Sequence, residues 1–139
     1  MPKGITVIKS NTKNLRDSVK LADILIGTVL IPNSRTPRVV TRKMVKSMKS
    51  GSVIVDVAID QGGCIETSRH TTHANPTHIE EGVIHYSVTN MPRAYPRTAT
   101  EALSENIFPF LVDLISEENI EKGLDSNLSL KRGVNIFRG

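Results

Sequence analysis

The sequence predicts an α/β domain built on a parallel sheet with helices on both faces. Three observations carry that expectation. Ile24 to Ile31 and Val53 to Ile59 are near-continuous apolar runs rich in β-branched residues. Strands without polar alternation belong to parallel sheets buried on both faces. Segments of helical period lie between such runs, and strands spaced by short helices imply right-handed crossovers.

The elements follow in order. Gly4 to Ile8 reads as a short strand that ends in Ser10-Asn11-Thr12, a turn and helix-start cluster. Asn14 to Leu21 places Leu15 and Val19, then Ala22, at helical spacing. Ile24–Ile31 is the next strand, stopped by Pro32-Asn33-Ser34. Thr41 is a fair N-cap for a helix through Met48, with Met44, Val45 and Met48 on one face and Lys and Arg on the other. Ser50-Gly51 ends it. Val53–Ile59 is a third strand, 60–82 a long polar loop, and Val83–Thr89 a fourth strand broken by Asn90-Met91-Pro92. Thr98 to Leu114 reads as a helix with Thr98 or Thr100 near its cap. Pro109 should kink or interrupt it unless a new first turn starts there. The tail from Ser116 carries only a weak apolar pattern. Two segments are expected, 1–92 and 93–139.

A chain of 139 residues suits one domain with a real core. Hydrophobic residues at 38% and charged residues at 23% exclude a disordered chain. The longest apolar stretch is too short to span a bilayer, and no signal peptide is visible. A lone cysteine, Cys64, excludes an internal disulfide framework and fits a cytoplasmic protein. The first 50 residues hold 11 Lys/Arg against 2 Asp/Glu, a balance of +9, and the rest hold 7 against 12, a balance of −5. A basic nucleic-acid surface is one reading of that asymmetry. The basic residues sit where helix exteriors are expected, and aromatics for stacking on bases are scarce. Neither nucleic acid nor membrane is therefore expected as a partner.

Ligands of open parallel sheets bind beyond the carboxyl ends of the strands. That rule nominates Val29 to Pro32, Ala58 to Gly63 and Val88 to Pro92. Asp60 leaves an apolar strand just before Gly62-Gly63. A carboxylate there can orient a substrate or exchange protons with it. By residue type alone, a turn held by the Asp side chain is the commoner role. Asp56 has the pattern of a buried residue bonded to the neighbouring loop. Cys64, His70, His73, His78 and His85 lie within 22 residues but lack the paired spacing of a zinc site, so loop-organising or exposed histidines are expected and no metal. Neither Gly-x-Gly-x-x-Gly nor Gly-x-x-x-x-Gly-Lys-Ser/Thr occurs in the chain, and neither does Gly-x-Ser-x-Gly.

Longer motifs go further. Ala22 to Pro32 and the run from Met44 through Asp60-Gln61-Gly62-Gly63-Cys64 resemble segments of bacterial alanine dehydrogenases. So do Glu66 to Arg69, Thr71-Thr72-His73, Glu81 to Tyr86, Asn90-Met91-Pro92 and Pro96 to Thr100 with Leu103. The related nucleotide-binding subunit of proton-translocating transhydrogenase usually carries Glu-Gln-Gly-Gly at the turn, so Asp60 favours the dehydrogenases.

The resemblance implies the second half of a Rossmann-like NAD-binding domain, followed by C-terminal helices. It implies NAD as cofactor and reversible oxidative deamination of L-alanine to pyruvate and ammonia. Asp60 would be the catalytic-site carboxylate, which reverses the turn-only reading. Val29, Leu30, Val57, Ile59, Asp60, Val88, Asn90 and Met91 would line the nicotinamide side of the cleft. The family's phosphate loop and substrate lobe match nothing in these 139 residues, so the polypeptide alone is expected to lack activity. Asn33 stands where the family usually has glycine. A homo-oligomer is expected, both from the family and from a sheet edge left unpaired. The alternatives are a non-enzymatic α/β remnant that binds or oligomerises, and a transhydrogenase-related nucleotide-binding domain.

Overall fold

Residues 4–32 and 34–138 are described by the computed structural model, and Asn33 lies outside them. Two compact units divide the chain, Met1–Met91 and Pro92–Gly139.

The first unit holds a four-stranded sheet. β1 (Ile24–Gly27), β2 (Val53–Asp56) and β4 (Val83–Tyr86) run parallel, while β3 (Thr77–Glu80) pairs antiparallel with β4. The spatial order is β1-β2-β4-β3. The α/β class and the parallel core are as expected, and β3 is an addition. Thr77-His78-Ile79-Glu80 alternates polar and apolar residues on an edge strand, so it carries no apolar run to announce it.

All three parallel strands are shorter than their apolar runs. β1 stops at Gly27, where an added Cβ would lie 2.4 Å from Cys64 Sγ. β2 stops at Asp56 because Val57–Gln61 coils into a 3₁₀ turn. Past Tyr86 the chain keeps one bridge, between Thr71 and Val88.

The expected strand at Gly4–Ile8 does not form. Residues 5–8 join no ladder, and Ile5, Val7 and Ile8 are exposed. β-branched residues favour a strand only where a partner offers ladder bonds and a surface to pack on.

α1 (Thr12–Leu21) is capped by Asn11, whose side chain accepts the Asn14 N–H at 2.8 Å. α2 (Arg42–Val45) is capped by Thr41, as expected, and turns continue to Met48. Val19 of α1 and Met44 and Val45 of α2 pack with Ile54, Ile65 and Val83 in one core. These helices cover the sheet face that bears Leu25, Ile54 and His85. On the other face Ile24, Ile26 and Ile79 are exposed. The Arg42 guanidinium lies 2.5 Å from Glu80 and 2.8 Å from Glu81, fastening α2 to the β3–β4 turn.

The second unit comprises α3 (Pro96–Ile115), α4 (Ile120–Ser126) and α5 (Leu128–Gly133). α3 starts two residues before the expected Thr98, with Pro96 in its first turn, where a missing N–H costs nothing. It runs through Pro109 without stopping. Glu105, whose carbonyl loses its i+4 donor there, is exposed to solvent. Asn119 and Asn127 cap α4 and α5.

Candidate functional site

Two loops leave the carboxyl ends of β1 and β2 and are tied to each other. Thr36, buried, donates its N–H to Gln61 O at 3.0 Å. Its hydroxyl lies 3.4 Å from Val29 O and 3.3 Å from Gln61 Oε1. That knot sets the β1 loop at a fixed distance from the 3₁₀ turn that carries Asp60.

Asp56 organises the turn from below. Its fully buried carboxylate accepts the Cys64 N–H on both oxygens, at 3.2 and 3.1 Å, and the Ile65 N–H at 3.3 Å. The bonded partner expected in the neighbouring loop is therefore present. Gly62 and Gly63 have φ of +102° and +78°, which a side chain rarely adopts. At Gly63 a Cβ would also stand 2.8 Å from Asp56 Oδ2.

Asp60 is exposed at the end of the turn. Its oxygens accept the Asn90 N–H at 3.2 and 3.1 Å. A carboxylate offers about four acceptor positions, so one N–H leaves capacity for a ligand. Asp60 lines two adjoining hollows. The first, about 300 Å³, is walled by Thr28, Val29, Leu30, Val57, Ala58 and Gln61. The second, about 460 Å³, is walled by Ser34, Arg35, Gln61, Gly62 and His70. The first is mainly aliphatic, suited to one face of a flat ring. The second is polar. A carboxylate at their junction can accept a proton or a hydrogen bond from a small polar substrate beside a ring.

Val29, Leu30, Val57 and Asp60 thus come together, and Asn90 joins them through its amide. Met91 is half-buried. Ile59 and Val88 are 1% and 0% exposed and pack beneath the surface. Thr36 and Arg35 were not singled out by the sequence, and His70 was weighed there only as a metal ligand. Their part in the site arises from loop closure, for which residue type carries no signal.

The histidines separate. His78 and His85 are buried and stacked, with ring centroids 4.8 Å apart, rather than exposed or in a loop. The His85 Nδ1–H donates to Val83 O at 3.0 Å, which leaves Nε2 to accept from the Thr67 hydroxyl at 2.8 Å. Burial pushes the His85 imidazole below its usual range. Burial and the nearby Asp56 raise the Cys64 thiol to about 11. Among the described residues no three His, Cys, Asp or Glu side chains converge as a metal site. None of the described helices is long and apolar enough to cross a membrane.

Comparisons with known proteins agree with the fold. Residues 1–139 match the family model described as "Alanine dehydrogenase/PNT, C-terminal domain". The chain belongs to the alanine dehydrogenase/PNT C-terminal domain family. Alanine dehydrogenase 1 of Staphylococcus aureus is 50% identical over 137 residues, covering 99% of this chain. The chain spans 37% of that relative's length. A solved L-alanine dehydrogenase superposes with a TM-score of 0.75 at 46% identity, over 91% of this chain and 35% of the other. A solved transhydrogenase from Sinorhizobium meliloti gives 0.65 at 31% identity, over 76% and 31%. The family thus carries the Rossmann-like sheet seen here and belongs to NAD-dependent dehydrogenase chemistry.

Proposed function

We propose that this chain supplies the nicotinamide-side half of the NAD site of an alanine dehydrogenase, acting in cytoplasmic L-alanine catabolism. The observation that carries the reading is Asp60, held by the Asn90 amide where an aliphatic hollow meets a polar one. In this reading Val29, Leu30 and Val57 pack one face of the nicotinamide and keep water from it. Ile59 and Val88 support that wall from beneath. Asn90 and Met91 close its far side. NAD, when bound against this wall, would supply the acceptor for the hydride that leaves the α-carbon of L-alanine. Asp60 accepts hydrogen bonds from the substrate's nitrogen and from the water that hydrolyses the resulting imine to pyruvate and ammonia. Small-molecule substrate and NAD are the partners, within a homo-oligomer.

These 139 residues hold no Gly-x-Gly-x-x-Gly loop, so the polypeptide by itself is expected not to turn over alanine. The site is tested by exchanging residues 1–139 for the matching segment of the Staphylococcus aureus enzyme. The hybrid should form NADH from alanine, and Asp60→Asn should lower kcat by about 100-fold or more. Full activity with Asn at 60 would overturn the assignment. The likeness to the transhydrogenase favours a second reading, a nucleotide-binding domain without alanine chemistry. A hybrid that binds NADH in a fluorescence titration yet never oxidises alanine would support that one.

A further inference from the structure

We infer that His73 is a positioning residue for Asp60, acting through the backbone of Asn90. The two hydrogen bonds found for the Asp60 carboxylate both come from the Asn90 N–H. That N–H points at Asp60 because Asn90 adopts φ +52°, the left-handed region. Asn tolerates this region better than most side chains, but it still needs a reason to stay there. The reason lies on the other side of the same residue. The Asn90 carbonyl lies 3.3 Å from His73 Nε2, and since a carbonyl only accepts, Nε2 carries the proton and donates. One flanking peptide of Asn90 is thus fixed by Asp60 and the other by His73.

His73 is itself placed by its loop. The Thr71 N–H donates to Ser87 O at 3.1 Å and the Thr71 hydroxyl to Pro76 O at 2.9 Å. The Asn75 N–H bonds Thr72 O at 3.1 Å, closing the turn that presents His73. Segments 71–73 and 87–90 therefore run side by side, and His73 clamps the end nearest the site. Without the clamp, Asn90 relaxes toward negative φ, its N–H swings off Asp60, and the exposed carboxylate regains its rotamers.

The functional meaning rests on the reading of Asp60 as the site carboxylate. The test does not, because neither NAD nor alanine is needed. Solution NMR on the full 139-residue chain compares the native protein with His73→Phe, which keeps a ring without a donor, and His73→Gln, which keeps a donor. In His73→Phe the Asn90 amide should exchange with solvent about tenfold faster. The Asp60 χ1 couplings should average, and the Thr71 amide should keep its native rate. His73→Gln should restore the Asn90 rate to within about twofold. His73→Ala gives the same comparison if Phe prevents folding. An unchanged Asn90 rate in the donorless variant overturns the inference. So does a uniform acceleration of Thr71, Ile84 and Asn90 that Gln fails to rescue, since His73 would then only pack its loop.

Discussion

The Asp56 carboxylate closes the loop that follows it by taking the Cys64 N–H on both oxygens, at 3.2 and 3.1 Å. Asp56 is fully buried, so its removal leaves the Cys64 and Ile65 amides without partners in the interior. Asp56→Ala should destabilise the chain by about 2–4 kcal/mol. Urea unfolding at constant m-value measures this, and a loss under about 1 kcal/mol would contradict it.

Two glycines separate backbone conformation from crowding. Gly63 and Gly51 both have positive φ, but only at Gly63 does an added Cβ meet a neighbour, Asp56 Oδ2 at 2.8 Å. Gly51→Ala should cost roughly 1 kcal/mol and Gly63→Ala at least about 2. Equal losses in thermal unfolding would mean that the contact with Asp56 carries no cost.

His85 makes stability depend on pH. Its folded-state pKa lies below the ordinary 6.5, chiefly through burial, with the stacked His78 acting in the same direction and the hydrogen bond to Val83 O, Glu80 and Asp56 against it. Well above pH 6.5 neither the folded nor the unfolded state is protonated at this ring, and stability is at its full value. Below 6.5 the unfolded state takes the proton first, so stability falls, by at most about 1.4 kcal/mol per pH unit, until the folded pKa is reached. Melting temperatures between pH 7.5 and 5 should decline in the native chain. The decline should be shallower in His85→Gln.

Cys64 should resist alkylation. It is 1% exposed, and its thiol is raised to about 11, so little thiolate exists at pH 8. Labelling by iodoacetamide should proceed only as fast as the loop opens and should become rapid in urea. Fast labelling of the native protein would show that the Asp56–Cys64 closure is open in solution.

Much of the scaffold was legible in residue order. The apolar runs at Ile24 and Val53 located β1 and β2, Val83 located β4, and Thr41 capped α2 where its hydroxyl suggested. Asp60 was legible as a candidate from its place between an apolar strand and two glycines, but residue type alone favoured a turn role, and only the family resemblance pointed to a site. Periodicity also led astray. Gly4 to Ile8 has strand composition and no partner, while Thr77 to Glu80 lacks that composition and pairs through β4.

What the sequence by itself determined is the kind of fold, since unbroken apolar runs mark the strands of a parallel sheet, together with the family that its long motifs mark. Only the tertiary structure decided where those strands end, which residues stand over Asp60, and that His78 stacks on His85. Strand ends, loop knots and the left-handed Asn90 depend on partners distant in sequence: Thr36 with Gln61, Asp56 with Cys64, His73 with Asn90. A single side chain carries no signal of the donor or acceptor that folding brings to it, and those pairings place the carboxylate.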